Sequence, residues 1–280
     1  MTVLFALAAS VFIGISDFLG GTASRVGSPL AVTVVLQLAA LATLTPIAVV
    51  LGASGLTVHD AGLGAVSGLA TSAAYVAFFT AIARGRISIV VPVSAAVTAL
   101  LPAVVGIAEG DPLSALATGG ILCALVAIPL VAYEPGETDQ AEQWSNVRQV
   151  LVSVMCGVGF GVYFVCVGHT HRSAGLWPTV GNLAVAAAMI APLAIRRGAM
   201  KELASARRPA IAGGIALGGA DTFLTSALQR GPLTVASVLG NLYPLVTIGL
   251  GVSLLGERVR SWQAAGIVLA IAGVTMIAAG

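Results

Sequence analysis

Residues 61–108 read AGLGAVSGLATSAAYVAFFTAIA (61–83), RGR (84–86) and ISIVVPVSAAVTALLPAVVGIA (87–108). The two outer segments are apolar, and each is close to the roughly 20 residues with which an α-helix crosses about 30 Å of hydrocarbon. The link between them is too short to return the chain across a membrane, so the two helices must run antiparallel. The stretch therefore predicts a hairpin of two membrane-spanning helices.

Apolar runs of this length recur along the whole chain. Charged residues, prolines and glycines separate ten of them, and most links are as short as Gly110-Asp111-Pro112. None of the runs alternates apolar and polar residues with a period of two, which excludes a transmembrane β-barrel. The sequence predicts an all-α integral membrane protein with ten transmembrane helices. Their expected ranges are 3–23, 30–51, 61–83, 87–108, 114–133, 149–168, 176–195, 209–229, 233–254 and 261–279.

The composition requires a solvent other than water around most of this chain. Apolar residues make up 58% of the sequence, charged residues make up 9%, and the mean hydropathy is +1.02. A soluble domain carries about 25% charged residues because its surface must meet water. The net charge of +2 comes without the continuous basic stripe of a nucleic-acid-binding protein. We therefore expect a multi-pass protein of the cell membrane, in bacterial terms the inner membrane, with the lipid bilayer and not nucleic acid as its partner.

The longest polar segment, Glu134 to Arg148, divides the chain into two blocks of five apolar runs. We expect a first five-helix repeat at 1–133, a central polar loop at 134–148 and a second five-helix repeat at 149–280. A shift of about 146 positions places Arg84 on Arg230, Pro46 on Pro192 and Asp111 on Glu257. Matches of such infrequent residue types in one ungapped register indicate an internal duplication.

An odd number of spans in each block has a mechanistic consequence. The second copy must enter the membrane from the opposite side, so the two repeats are expected to be inverted relative to each other. Inverted repeats that face each other leave an interface near the midplane, and rocking one against the other exposes that interface to each side in turn. This arrangement points to transport by alternating access.

The distribution of lysine and arginine predicts the orientation in the membrane. These residues concentrate in the odd-numbered links, and five of them lie in residues 196–208, whereas the even-numbered links contain Arg172 and Arg230 only. The positive-inside rule then places the odd-numbered links in the cytoplasm and both termini outside.

Four short motifs in the second half resemble a known family. They occur in a fixed order along the last three apolar runs: Ala227-Leu228-Gln229-Arg230-Gly231-Pro232, Leu242-Tyr243-Pro244, Leu255-Gly256-Glu257-Arg258 and Gln263-Ala264-Ala265-Gly266. The order and spacing resemble the ten-helix, EamA-type members of the drug/metabolite transporter superfamily. The resemblance implies ten spans in two inverted halves and the movement of small metabolites or drugs, often as efflux.

The first half repeats these motifs more loosely, in Ala83-Arg84-Gly85, Gly110-Asp111 and Gly119-Gly120. It departs from the pattern at two positions. Thr98 stands where Pro244 stands in the second half, and Asp111 replaces the usual glutamate.

Two acidic residues, Asp17 and Asp221, fall inside the predicted spans. An ionised group near the centre of a membrane helix costs about 2.5–3.5 kcal/mol on insertion scales, so it usually has a function. Burial disfavours the charged form of a carboxyl group, so either acid can bind and release a proton near neutral pH, and either can hold a cationic substrate. The structural alternative is a helix-bridging role, and for Asp17 an ion pair with Arg25 two turns away.

Uncharged polar residues in several spans are candidates for the wall of a substrate cavity at the repeat interface. Hydrogen bonds between helices, worth on average about 0.6 kcal/mol each, are the alternative role for any one of them. The candidate substrate-binding set, which joins these residues to the two acids, is Asp17, Gln37, Tyr75, Tyr163, Asn182, Asp221, Asn241 and Tyr243.

The sequence contains no pattern for a cofactor, a metal ion or a catalytic centre. His169 and His171 flank Thr170 in a short link, but no third ligand is near them in the sequence, so we expect a solvated loop. A phosphate-binding loop of the G-x-x-x-x-G-K-[ST] type is absent, so the predicted transporter is a secondary one, driven by a proton or ion gradient, by exchange or by the gradient of its substrate. Two alternatives remain: a flippase for a lipid-linked carrier, and an intramembrane lipid-modifying enzyme, which needs a cluster of acids or histidines at one depth.

Overall fold

The computed structural model describes residues 2–108, 114–132, 144–230, 236, 239–256 and 261–279, and within these ranges it contains helices and no strand. The expected all-α class is therefore confirmed. Two 3₁₀-helices, Arg172–Ala174 and Ala199–Leu203, lie in the links. The α-helices are α1 (Thr2–Val26), α2 (Pro29–Leu51), α3 (Val58–Arg84), α4 (Ile87–Ala108), α5 (Ala115–Ala132), α6 (Asn146–Gly168), α7 (Trp177–Arg196), α8 (Arg207–Arg230), α9 (Tyr243–Leu255) and α10 (Ser261–Ala279).

Six of the helices, α1, α2, α3, α6, α7 and α8, are long and apolar enough to cross a membrane. In the same described ranges, shorter apolar helical stretches cover Ile89–Pro102, Tyr243–Leu255 and Ala264–Gly273. Large apolar side chains such as Val50 and Met155 are exposed, whereas Thr33 and Gln37 are fully buried. Apolar side chains outside and polar side chains inside are the distribution expected when lipid is the solvent. The chain is a multi-pass membrane protein.

Helix boundaries differ from the predicted ones where local chemistry sets the ends. α3 begins three residues early because Thr57 and Asp60 form a capping box, in which each side chain accepts a hydrogen bond from the other's backbone N–H. The ninth predicted span, 233–254, is not one continuous helix, because a turn at Asn241 and Leu242 precedes α9. Pro244 therefore lies in the first turn of α9, where its missing N–H costs nothing.

Several sequence features lie outside the described residues. They are the Gly110-Asp111-Pro112 link, most of the central polar loop (134–143), Gly231-Pro232, and Glu257-Arg258 with Arg260.

The first five helices pack mainly on the last five. Extensive contacts between helices occur in three couples of helix pairs. The first couple is α1–α8 and α3–α6, the second is α2–α8 and α3–α7, and the third is α4–α6 and α1–α9. When each helix number is advanced by five, counted cyclically over the ten helices, the first pair of each couple becomes the second pair. The other large contacts, α2 with α7 and α5 with α10, join helices that are five places apart. The main contacts between the two halves therefore obey a two-fold exchange.

Two glycine contacts show the same exchange at the level of single residues. Gly68 of α3 lies against the carbonyl oxygen of Asn182 in α7, and Gly214 of α8 lies against the carbonyl oxygen of Leu36 in α2. The two glycines are about 146 positions apart, as are the two carbonyl residues. The offset read from the sequence thus relates contacts in space. Glycine at these positions lets the helix backbones touch.

The C-terminal end of α3 is tied to the N-terminal end of α6. The Arg86 backbone N–H donates to Oε1 of Gln149 at 3.0 Å, and Nε2 of Gln149 donates to the Trp144 carbonyl at 2.8 Å. The Trp144 N–H in turn donates to the Arg84 carbonyl at 3.1 Å. Since α3 and α6 come from different halves, this cluster connects the halves at one end of the bundle.

Candidate functional site

A cavity of about 40 Å³ lies where the two halves meet, and seven helices contribute to its wall. Residues from α1, α3 and α4 face residues from α6, α7, α8 and α9 across it. Eight of the lining side chains are polar and six are apolar. They are Asp17, Thr71, Tyr75, Thr98, Tyr163, Asn182, Asp221 and Tyr243, with Ile13, Phe160, Phe164, Leu183, Leu217 and Leu224.

Six of the eight candidate site residues predicted from the sequence line this cavity. They are Asp17, Tyr75, Tyr163, Asn182, Asp221 and Tyr243. Gln37 does not line it, and its fully buried amide has no hydrogen-bond partner within the described part of the chain. Asn241 borders a separate, mainly apolar gap with Pro92 and Pro244.

The two acids differ in their surroundings. Asp221 accepts a hydrogen bond from the Tyr163 hydroxyl at 2.9 Å, and both side chains are buried. Asp17 is 5% exposed and has no hydrogen bond or ion pair with any residue that the structure describes, Arg25 included. The ion pair considered from the sequence is therefore absent between these two residues. Asp17 presents to the cavity a carboxyl group that no donor among the described residues satisfies.

The amide of Asn182 is held in place from the opposite half. Its Nδ2 donates to Ser67 Oγ at 2.9 Å and to Thr71 Oγ1 at 3.2 Å, both on α3. One turn before it on α7, the hydroxyls of Thr179 and Thr225 share a hydrogen bond of 2.8 Å. The bonds to Ser67 and Thr71 use the N–H donors of the Asn182 side chain. The side-chain oxygen of Asn182 is the group that remains available to a bound molecule.

Aromatic rings form one side of the cavity. The rings of Tyr75 and Phe160 meet edge to face with their centroids 4.8 Å apart, and Tyr163 meets Phe164 in the same way at 6.0 Å. The negative faces of such rings attract cations, and their area suits an apolar body.

The charge of the cavity restricts what it can bind. Two carboxyl groups line it, and none of its described lining residues is basic. A bound anion would lie near Asp17 and Asp221 without a counter-charge. The wall therefore suits a neutral or cationic molecule with an apolar or aromatic part.

Sequence reasoning missed Thr71 and Thr98 in this wall. Threonine in a helix usually bonds its own preceding turn, so its presence in a span carries no signal of a cavity. Thr98 does bond the Ser94 carbonyl at 2.8 Å, but its hydroxyl also lies 3.2 Å from the Gly157 carbonyl on α6. Thr247 on α9 contacts the Gly14 carbonyl on α1 at the same distance. Each half thus sends a threonine from its fourth helix to a glycine in the first helix of the other half.

The comparisons with known proteins agree with this architecture. No curated protein matches the chain. A crystal structure of a protein 17% identical in sequence matches with a TM-score of 0.71, with 99% of this chain and 96% of that chain covered. At this identity the likeness extends to the fold alone.

The EamA-like transporter family matches residues 147–279, which hold α6 to α10 apart from the first residue of α6. Members of that family are membrane transporters and not enzymes. The family match therefore covers the second five helices, and the likeness of fold extends over nearly the whole chain.

Proposed function

We propose that the protein is a secondary transporter that exports a small cationic metabolite or drug-like molecule by alternating access, in exchange for protons. The observation that carries this proposal is the cavity between the halves, which Asp17 and Asp221 line and which has no basic residue among its described lining residues. In our proposal, residues 1–133 and 149–280 are two inverted repeats of five spans each, connected by the loop at 134–148.

The two-fold exchange of helix contacts supports inverted repeats. Related halves that are joined face to face give a self-complementary interface, in which each contact has a partner with the roles reversed. The couples α1–α8 with α3–α6 and α2–α8 with α3–α7 have this property. An odd number of spans in each half then requires opposite orientations in the membrane.

The size of the cavity supports alternation between conformations. Pockets for drug-sized ligands measure roughly 300–1,000 Å³, whereas this cavity measures about 40 Å³. A substrate therefore enters only when the halves separate at one end. The hydrogen bonds of Gln149 with Arg86 and Trp144 are among the contacts that must break or move when the halves part at that end.

We assign different tasks to the two acids. Asp17, which has no protein partner among the described residues, pairs with the cationic group of the substrate. Asp221, which is held by Tyr163, binds and releases the proton. A bound substrate cation and a bound proton each bring one positive charge to the same water-poor cavity, so the binding of one opposes the binding of the other, as exchange requires.

A flippase for a lipid-linked carrier is less well supported by the geometry. A lipid tail needs a groove that opens between helices to the bilayer. The polar groups here instead lie among seven helices, and Asp17 and Asp221 are 5% and 6% exposed.

The substrate class can be tested by thermal unfolding of the purified protein with three probes of similar shape: 2-phenylethylamine, 2-phenylethanol and 3-phenylpropanoate. A ligand stabilises the state that it binds by RT ln(1 + [L]/Kd), which is about 2.7 kcal/mol at 100 times Kd. We expect the amine to raise the unfolding temperature most and the carboxylate to leave it unchanged.

Asp17→Asn should remove the shift given by the amine. Glu202→Gln, which removes an exposed acid in the link before α8, serves as the control and should keep the shift. A larger shift with the carboxylate than with the amine, or an unchanged amine shift in Asp17→Asn, would contradict the assignment.

A further inference from the structure

A cluster of metal-ligand side chains lies at the end of α3 that is remote from the Gln149 contacts. His59 and Asp60 belong to the first turn of α3, and His171 belongs to the link between α6 and α7, 111 residues further along the chain. One ligand atom from each of the three side chains lies within 4.8 Å of the other two. We propose that His59, Asp60 and His171 form a binding site for Zn²⁺ that joins the two halves of the transporter.

The carboxylate of Asp60 is pre-positioned for this role. It is fully buried, and its Oδ2 accepts hydrogen bonds from the Thr57 backbone N–H at 3.1 Å and from the Thr57 hydroxyl at 2.6 Å. Its Oδ1 accepts from the His171 backbone N–H at 2.8 Å. The remaining neighbour of Oδ1 is Nδ1 of His171 at 3.0 Å. The backbone bonds fix the oxygen in place whatever the imidazole does.

The two imidazoles are free to complete the coordination. The side chain of His171 is 60% exposed, and its ring centroid lies 5.8 Å from that of His59, which is also exposed. Ligands around tetrahedral Zn²⁺ are bound at about 2.0–2.2 Å, which sets them roughly 3.3 Å apart. Rotation of two exposed side chains closes the difference from 4.8 Å. The ion takes the place of the hydrogen bond between His171 and Asp60, and water fills the fourth position.

The ligand types select the ion. Two imidazole nitrogens and one carboxylate oxygen suit Zn²⁺, whereas Ca²⁺ and Mg²⁺ prefer oxygen ligands throughout. The buried carboxylate of Asp60 adds a reason for a cation here, because a divalent ion balances its negative charge.

The position of the site predicts what the ion does. α3 belongs to the first half and the α6–α7 link to the second, and the backbone N–H groups of Ser54 and Gly55 already donate to the Ser173 carbonyl beside the site. An ion bound here adds a connection between the halves at this end of the bundle. Zn²⁺ should therefore hold this end closed and slow transport.

The binding claim can be tested without any transport assay, so its outcome is separate from that of the proposed function. The full chain, purified without a polyhistidine tag, is titrated with ZnCl₂ by isothermal calorimetry, and with CoCl₂ by visible absorption to report tetrahedral coordination. We expect binding of one ion per chain. Loss of an outer-shell partner weakens metal sites about 10–100-fold, so loss of a direct ligand in His59→Ala or His171→Ala should weaken binding by at least as much.

His169→Ala is the matched control, because His169 lies in the same link but its ring contacts the Val165 carbonyl at 2.7 Å and lies outside the cluster. It should bind Zn²⁺ as the unmodified protein does. The thermal unfolding temperature of metal-free His59→Ala should equal that of the unmodified protein, which separates lost binding from lost structure. Absence of binding to the unmodified protein, unchanged binding in His59→Ala, or equal loss in His169→Ala would each overturn the proposal.

Discussion

Asp221→Asn is expected to abolish the dependence of transport on the pH gradient. In proteoliposomes with a gradient of one pH unit, one-for-one exchange of a proton for an amine gives about tenfold accumulation, since one pH unit corresponds to 1.36 kcal/mol. The asparagine keeps the size of the side chain and an oxygen to accept the Tyr163 hydroxyl, but it cannot bind a proton. The variant should equilibrate the amine across the membrane and accumulate none. Radiolabelled trimethyl(2-phenylethyl)ammonium, a permanently charged form of the amine, measures this directly, because it has no neutral form that crosses the bilayer without the protein.

Two control variants distinguish loss of the proton-binding group from other effects of a substitution. Tyr163→Phe removes the hydroxyl and keeps the carboxyl group, so it should still accumulate the amine. Glu202→Gln should behave as the unmodified protein, since Glu202 is exposed and distant in the sequence from the cavity residues. If Asp221→Asn accumulated the amine tenfold, Asp221 would not be the proton carrier.

Gly68→Ala and Gly214→Ala are expected to destabilise the protein more than substitution at a helical glycine that has free space around it. A Cβ added at Gly68 would lie 2.6 Å from the Asn182 carbonyl oxygen, and one added at Gly214 would lie closer still to the Leu36 carbonyl oxygen. These are backbone atoms, so a whole helix must move to relieve the contact. Overpacking of this kind costs about 1–3 kcal/mol. Thermal unfolding of purified variants measures it.

Gly62→Ala is the control on the same helix as Gly68. Nothing lies within 4 Å of a Cβ added there, so alanine should stabilise α3 by roughly 0.5–1 kcal/mol through its higher helix propensity. Equal unfolding temperatures for Gly62→Ala and Gly68→Ala would show that the close approach of α3 and α7 does not contribute to the stability of the protein.

Much of the architecture is readable from the sequence because the bilayer imposes a simple rule. Every spanning segment must satisfy its own backbone hydrogen bonds, so a long apolar run is a helix. The predicted range 30–51 differs by one residue from α2, Pro29–Leu51. The exceptions arise from local chemistry. Thr57 and Asp60 extend α3 because they cap it, and Pro244 stands at the start of α9 rather than inside a longer helix.

The cavity was only partly predictable. A carboxyl, amide or phenol group inside an apolar run is conspicuous, and six of the eight such candidates line one cavity. The sequence does not reveal which side of a helix faces which neighbour, and for that reason sequence reasoning places Gln37 and Asn241 in the same set as the cavity residues. Pairing across distance is equally hidden: His171 was considered with His169, two residues away, whereas His59 and Asp60 are the side chains beside it.

The contact surface between α3 and α7 and the one between α2 and α8, here called the two seams, affect the balance between conformations. In the inverted repeats that we propose, tilting one way loosens the first seam and tightens the second, and tilting the other way reverses them. Because Gly68 contacts Asn182 as Gly214 contacts Leu36, we expect the two tilted forms to differ little in packing. A free-energy difference of a few kcal/mol, within reach of one proton or one ligand, is then enough to choose between them. Because the two seams are nearly equal, a small free energy is enough to convert one tilted form into the other.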